Sequence, residues 1–110
     1  MFKLGLAQIT PILGDSQANL EMHLRWIERA KREKVEVLLF PELSLTGYQL
    51  RDLVPEVAMR PDAEPLRQLA KAAGEMSLVV GFVEESPSFQ FHVSAAYIEG
   101  GRVLHVHLSL

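Results

Sequence analysis

The chain contains no cysteine among its 110 residues. This absence excludes a disulfide, a thiol nucleophile and a thiolate metal site within the chain itself. No apolar run approaches the roughly 20 residues that a helix needs to cross a bilayer. The segment Met1–Ala7 is also too short to be a signal peptide. We therefore expect a soluble, cytoplasmic protein that does not contact a membrane.

An excess of charge of one sign is also lacking. The formal net charge is −3, from 11 basic and 14 acidic residues. The acidic residues Glu28, Glu33 and Glu36 lie among the basic residues of positions 29–34, which indicates a solvated helix face rather than a nucleic-acid surface. Hydrophobic residues make up 48% of the chain, a fraction typical of a globular domain. We therefore expect no nucleic-acid partner and one small folded unit.

Hydrophobic periodicity predicts the element order β-α-β-α-β-β-β, which indicates an α/β fold. Asp15 or Ser16 is expected to cap the first helix, and Asp62 the second. Residues 42–60 lack a clean period and are predicted to form a loop. The predicted strands span residues 2–9, 35–40, 77–84, 91–99 and 102–108, and the helices span residues 17–34 and about 62–74.

Glu42 follows the second predicted strand directly, after Phe40 and Pro41. That strand is almost wholly apolar, so we expect it to be central and covered on both faces. Ligands of α/β sheets usually bind beyond the carboxyl ends of the strands. Apolar neighbours would raise the pKa of the Glu42 carboxyl and make it a better general base near neutral pH. The alternative is that Glu42 only closes the loop or pairs with Arg51 or Arg60.

The stretch from Phe40 to Tyr48, FPELSLTGY, resembles the glutamate motif of the nitrilase superfamily of carbon–nitrogen hydrolases. Further similarities follow in the order expected for that family. They are Leu6-Ala7-Gln8, Gly14-Asp15 with Ala18-Asn19-Leu20, Leu78-Val79-Val80-Gly81-Phe82, and Ser94-Ala95-Ala96 with Gly100-Gly101. The resemblance implies that residues 1–110 are the N-terminal portion of a single carbon–nitrogen hydrolase domain, an incomplete α-β-β-α sandwich.

The resemblance also implies a reaction, hydrolysis of an amide or nitrile C–N bond through a cysteine acyl-enzyme. In it, Glu42 would be the general base, and a lysine would stabilise the charged tetrahedral intermediate. Tyr48, the last residue of the motif, would shape the pocket wall. The substrate of the complete domain would be a small amide or nitrile, and the reaction needs neither a cofactor nor a metal.

The chain departs from the family pattern near its end. The Arg-Lys pair expected after the last strand falls on Leu108 and Ser109, and Val93 stands where the family usually has asparagine. A serine can donate a hydrogen bond but cannot neutralise an oxyanion. We interpret the break after His107 as an altered or truncated C-terminus. With lysine and cysteine both missing, we expect the chain alone to be inactive.

The substrate and even the enzymatic role stay open at this point. The stretch from Leu45 to Tyr48, followed by Asp52-Leu53, is similar to the glutaminase domain of glutamine-dependent NAD synthetases, but it is also common among amidases. The second hypothesis is a non-catalytic interaction module that retains the front half of the fold. In either case the missing strands would leave an open sheet edge and an uncovered apolar face, so we expect self-association or a homo-oligomer.

Two other groups of residues allow weaker hypotheses. His105 and His107 lie on one strand, with His92 across the predicted hairpin, but no fourth metal ligand is evident and no metal is expected. The hydroxyls of Ser44, Thr46 and Ser94 lack a nucleophile elbow, and no histidine is expected near them. We interpret these hydroxyls as turn and strand residues.

Overall fold

The structure is a computed structural model that describes residues 2–12, 15–41, 43–45 and 58–109. Within them the elements follow the predicted β-α-β-α-β-β-β order, so the α/β fold is confirmed. The strands are β1 (Leu4–Leu6), β2 (Val37–Leu39), β3 (Ser77–Glu85), β4 (Phe91–Glu99) and β5 (Arg102–Ser109). The helices are α1 (Ser16–Arg32) and α2 (Glu64–Ala73).

All five described strands form one mixed sheet in the order β1-β2-β3-β4-β5. The first three strands are parallel, and β4 and β5 are added as antiparallel hairpin strands. The carboxyl ends of β1, β2, β3 and β5 therefore lie at the same edge of the sheet. We call this edge the C-terminal edge, and it is where an α/β sheet usually binds its ligand.

Helix α1 begins and ends at residues with clear physical roles. Asp15 caps it as predicted, because its Oδ1 atom accepts a hydrogen bond from the backbone N–H of Ala18 at 3.0 Å. Basic side chains in the last turn suit the negative end of the helix dipole. The helix ends two residues earlier than predicted, since Lys34 adopts a positive φ of 59° that helical backbone cannot continue.

Helix α2 begins without the predicted Asp62 cap. Its N-cap residue is Ala63, which makes no side-chain capping bond, and Pro65 in the first turn pre-sets the helical φ instead. Gly74 ends the helix with a φ of 60°, a backbone conformation that glycine adopts without strain. The spacing of apolar residues predicts one buried stripe along this helix and the turn after it, and all of its members are buried: Leu66, Leu69, Ala70, Ala73 and Met76.

The main core lies between the two helices and one face of the sheet. Leu78, Val80 and Phe82 alternate along β3 on this face and are fully buried. Together with both helices, Leu38 of β2 and Ile98 of β4 they form one apolar cluster. Burying each large side chain of this kind stabilises the fold by about 1.5–3 kcal/mol.

The opposite face of the sheet is apolar but largely open. Leu4 and Leu6 on β1 are 51% and 65% exposed. Val37 and Leu39 flank the buried Leu38 on β2 and are only half-buried. In the part of the chain that the structure describes, the helices cover one face of β2 alone, so the predicted cover on both faces is not found there. The expected uncovered apolar face is present, and we call it the open face.

The two short strands and the final hairpin differ in how well their bounds were predicted. β1 and β2 each keep three residues of their predicted runs. Pro41, just after β2, has no N–H to donate to a neighbouring strand. The strands β4 and β5 match their predicted bounds to within one residue. Gly100 and Gly101 form the predicted turn, with φ values of 63° and 79°.

Candidate functional site

After β2 the chain continues along the C-terminal edge beside β3. The Phe40 N–H donates to the Val79 carbonyl, and the Leu45 N–H donates to the Gly81 carbonyl, each at 3.0 Å. Further along, the Met59 N–H donates to a β3 carbonyl at 2.9 Å. The flanks of the predicted catalytic position are therefore fixed to the middle strand of the sheet.

The two residues predicted to form the site, Glu42 and Tyr48, lie outside the described residues. The prediction that Glu42 has apolar neighbours is consistent with the residues described beside it, because Phe40, Leu43 and Leu45 are 7%, 6% and 0% exposed. Of the two arginines considered as ion-pair partners, Arg51 also lies outside the described residues. The guanidinium of Arg60 lies 5.7 Å from the centre of the Phe89 ring.

A buried hydrogen-bond network joins α1 to the segment after β2. His23 on α1 is fully buried, and its Nε2 atom lies 2.8 Å from Ser44 Oγ, which is also buried. Its Nδ1 atom lies 2.6 Å from the backbone oxygen of Asn19, one turn earlier. The His23 ring packs on Phe40, with 4.3 Å between ring centroids. The expectation that no histidine lies near Ser44 is therefore wrong.

The partners of His23 determine which ring nitrogen carries the proton. A carbonyl oxygen can only accept, so Nδ1–H donates to Asn19 and Nε2 accepts from the Ser44 hydroxyl. Desolvation by burial lowers the pKa of His23 from 6.5 to about 4, against the opposing effect of the bond to Asn19. The imidazole is therefore neutral near pH 7, and its Nε2 atom accepts a hydrogen bond from the Ser44 hydroxyl.

Asn19 extends this network to the loop before α1. Its Oδ1 atom accepts from the Ile12 N–H at 2.6 Å, and its Nδ2 atom donates to the Ile12 carbonyl at 2.9 Å. This paired contact satisfies both the donor and the acceptor of a fully buried amide. It gives a structural reason for the asparagine in the Ala18-Asn19-Leu20 motif.

Sequence periodicity carried a signal for the burial of His23 but none for its partner. His23 lies three residues after Leu20 and four before Ile27, both on the apolar stripe of α1. That spacing predicts a buried side chain. Ser44 lies 21 residues away in the sequence, and only the fold brings it to His23.

A second buried polar pair lies at the same edge. Ser94 Oγ on β4 donates to Glu84 Oε1 on β3 at 2.7 Å, and the two residues are only 2% and 9% exposed. The neighbouring Glu85 is half-buried, and adjacent residues of a strand point to opposite faces of the sheet. Ser94 therefore satisfies a buried carboxylate and has a structural role.

Val93 and Ser109, the two residues that depart from the pattern implied by the resemblance, are neighbours in the sheet. Val93 on β4 is the register partner of Ser109 on β5, and on its other side it pairs with Val83 of β3. This row crosses the sheet near the C-terminal edge. The positions at which the resemblance implies asparagine and lysine are therefore adjacent, on β4 and β5, and β3 lies between β4 and the described flanks of position 42.

The histidines of the last hairpin do not pair with one another. His92 pairs with Glu84, whereas His105 pairs with Tyr97 and His107 with Ala95. In the part of the chain that the structure describes, no group of three or more histidine, aspartate or glutamate side chains could hold a metal ion. No described helix is both long enough and apolar enough to span a membrane.

Comparison with known proteins agrees with this arrangement. Residues 3–107 match the family model described as carbon–nitrogen hydrolase. The chain belongs to the carbon–nitrogen hydrolase family. The resemblance to the nitrilase superfamily, of which this chain matches an N-terminal part, is therefore confirmed.

Relatives of this carbon–nitrogen hydrolase chain include several glutamine-dependent NAD+ synthetases. The synthetase of Acinetobacter baylyi is 30% identical over 106 residues, which cover 96% of this chain and 20% of the synthetase. The synthetase of Thermotoga maritima is 29% identical over 108 residues, covering 96% of this chain and 18% of that protein. The hydrolase chain thus spans about a fifth of the length of the curated relatives it matches.

Solved structures share the fold. A crystal structure of an N-terminal amidase with a Gln-Gly peptide has a TM-score of 0.84 and 22% identity, covering 98% of this chain and 27% of the amidase chain. The mixed five-stranded sheet with two helices is therefore part of a nitrilase-type fold, as expected.

Proposed function

We propose that this chain is the N-terminal portion of a carbon–nitrogen hydrolase domain that cleaves amide bonds, with Glu42 as its general base. The match over residues 3–107 carries the proposal. The geometry of the described flanks supports it, because Phe40 and Leu45 are buried and bonded to β3 at the C-terminal edge. Tyr48 would shape the wall of the pocket.

The chemistry needs a cysteine thiol, of which this chain has none, and a lysine at the position that the resemblance assigns to Ser109. Glu42 would take the thiol proton while the sulfur bonds to the carbonyl carbon, and the lysine would stabilise the resulting oxyanion. The C–N bond would then break, and the same proton would leave with the amine. Glu42 would next take a proton from water while the water oxygen bonds to the acyl carbon. The C–S bond would then break, which releases the acid, and the proton would pass from Glu42 to the sulfur to restore the thiol. Without these two groups, the chain alone would not turn over.

The substrate that we propose for the complete domain is the side-chain carboxamide of glutamine. The relatives named glutamine-dependent NAD+ synthetases support this choice. The similarity of residues 45–53 to glutaminase domains points the same way. Hydrolysis of such a carboxamide releases ammonia, which gives a direct assay.

The second hypothesis, a non-catalytic interaction module, is favoured by the open face. Half-exposed or exposed aliphatic side chains on β1 and β2 would stabilise a partner that covers them. We propose that this face drives association with the rest of the domain or with a second copy of the chain. Such association is compatible with either hypothesis.

A graft experiment distinguishes the enzyme hypothesis from the hypothesis of a non-catalytic interaction module. Residues 3–107 of this chain would replace the matching segment of the Acinetobacter baylyi synthetase, which supplies its own downstream residues. We call this protein the synthetase graft. If residues 3–107 retain the catalytic front of the domain, the graft releases ammonia from glutamine. A folded graft, verified by circular dichroism, that releases none would favour the module.

A further inference from the structure

His23 contacts the chain on both sides of position 42. Its ring packs on Phe40, two residues before Glu42, and its Nε2 atom accepts from Ser44, two residues after it. Both contacts are made by one side chain that is itself fully buried. A residue on α1 therefore holds together the two flanks of the proposed general base.

The backbone alone does not provide this link. The N–H groups of Phe40 and Leu45 bond to β3, and the Ser44 N–H bonds to the Pro41 carbonyl at 3.1 Å. These bonds fix the flanks relative to the sheet and to each other. The bond from Ser44 to His23, together with the packing of the His23 ring on Phe40, fixes the same flanks relative to α1.

The direction of the hydrogen bonds gives the network one arrangement. The Asn19 carbonyl accepts from Nδ1–H, so the Nε2 atom of the neutral ring carries no proton and can only accept. The Ser44 hydroxyl must therefore donate its hydrogen bond to Nε2. A buried network in which every partner is satisfied stabilises a single conformation. Leu43, between Glu42 and Ser44, has a φ of 53°, a conformation that costs a non-glycine residue about 1 kcal/mol or more.

A nucleophilic serine is the other chemistry that a serine–histidine pair at 2.8 Å could support. Burial argues against it here. Both Ser44 and His23 are 0% exposed, so no substrate carbonyl could approach the hydroxyl. The pair therefore acts on the position of the chain around it.

We propose that His23 is a positioning residue for the general base, because it holds Phe40 and Ser44, the described flanks of position 42. This inference rests on the proposed function, because it treats Glu42 as the general base. Removing the link would change the surroundings of the Glu42 carboxylate while the sheet and the helices persist. Restoring an acceptor for the Ser44 hydroxyl would restore those surroundings.

The test follows the Glu42 carboxyl in this chain by 13C NMR as a function of pH. The variants are Ser44→Ala and His23→Leu, which remove the link, and His23→Gln, whose side-chain oxygen can still accept from Ser44. Ser77→Ala is the matched control, since Ser77 is a buried serine at the other end of β3. The double variant His23→Leu with Ser44→Ala removes both polar partners together and leaves no buried group unpaired.

The proposal expects the titration midpoint of Glu42 to move by roughly half a pH unit or more in Ser44→Ala and in His23→Leu. The midpoint stays at the parent value in His23→Gln and in Ser77→Ala. If a single variant does not fold, the double variant must show the same displacement. A Glu42 midpoint that is unchanged in folded variants lacking the link would overturn the proposal.

Failure of this inference and failure of the proposed function are distinguishable. The function is tested by ammonia release from the synthetase graft with and without Glu42. The inference fails when Glu42 is needed for ammonia release but its titration does not respond to His23 or Ser44.

Discussion

Val93 and Ser109 are register partners in the pairing of β4 with β5. They are also the two positions at which the resemblance to the family implies asparagine and lysine. Their adjacency shows that both departures affect one row of the sheet near the C-terminal edge. Position 109 therefore lies near the edge of the sheet along which the described flanks of position 42 are bonded to β3.

The implied role of position 109 predicts at which C-terminal residue the synthetase graft must end to stay active. A graft of residues 3–107 keeps the lysine of the host, whereas a graft of residues 3–109 replaces it with Ser109. We expect the longer graft to lose about 100-fold or more of the ammonia-release rate, as expected when one stabilising group for an oxyanion is removed. Ser109→Lys in the longer graft should recover most of the rate. Equal rates for the two grafts would show that position 109 does not supply the cation.

The buried His23 predicts a pH-dependent stability. Burial lowers its pKa to about 4 in the folded chain from the ordinary value of 6.5, so the unfolded chain binds more protons between these two pH values. The free energy of unfolding is therefore highest above pH 6.5 and falls as the pH drops towards 4. The titration of His23 alone should lower the free energy of unfolding by about 2 kcal/mol when the pH falls from about 7.5 to about 5.

Urea denaturation at the two pH values measures this effect. His23→Gln removes the titrating group and should reduce the difference between the two free energies of unfolding by about 2 kcal/mol. An exposed variant on the same helix, Gln17→Ala, should keep the difference of the parent. If His23→Gln and the parent lose the same stability on acidification, another group is responsible.

The bond between Ser94 and Glu84 predicts a local loss of stability. Ser94→Ala would leave a carboxylate that is 9% exposed without its described hydrogen-bond donor. We expect the free energy of unfolding to fall by about 1–3 kcal/mol. The exposed α2 variant Gln68→Ala should change it by about 0.5 kcal/mol or less. A Ser94→Ala protein as stable as the parent in urea would mean that water replaces the hydroxyl.

The open face predicts concentration-dependent association. Leu6 is 65% exposed on this face, so a charge there should oppose any partner that covers it. We expect Leu6→Lys to lower the average mass measured by static light scattering at high protein concentration. Gln68→Lys adds the same charge on the helical side and should leave the mass unchanged. A parent chain that stays monomeric throughout would contradict the association.

Local signals in the sequence predicted most of the fold. The apolar stripe of α2, the Asp15 cap and the two-glycine turn at Gly100 depend on neighbouring residues, and all three were predicted correctly. The Asp62 cap was wrong because Pro65 and Ala63 begin the helix one step later. The predicted cover on both faces of β2 is not found in the described part of the chain, because an apolar run does not reveal which of its faces has a partner within the same chain.

The site was predictable only in part. Residue order and motif placed Glu42 after β2, and the burial of Phe40 and Leu45 agrees with that placement. The bond from His23 to Ser44 was missed because it joins residues 21 positions apart. The adjacency of Val93 and Ser109 likewise depends on strand register, which the Gly100-Gly101 turn suggests but does not fix alone.

The role of Glu42 is tested most directly by the rate of ammonia release from glutamine by the synthetase graft of residues 3–107, compared with the same graft carrying Glu42→Gln. A general base in this position predicts a rate lower by about 100-fold to 10,000-fold, with both proteins equally folded. Glu36→Gln, at an exposed position before β2, should retain the parent rate. A Glu42→Gln graft that releases ammonia as fast as its parent would contradict the assignment of the general base.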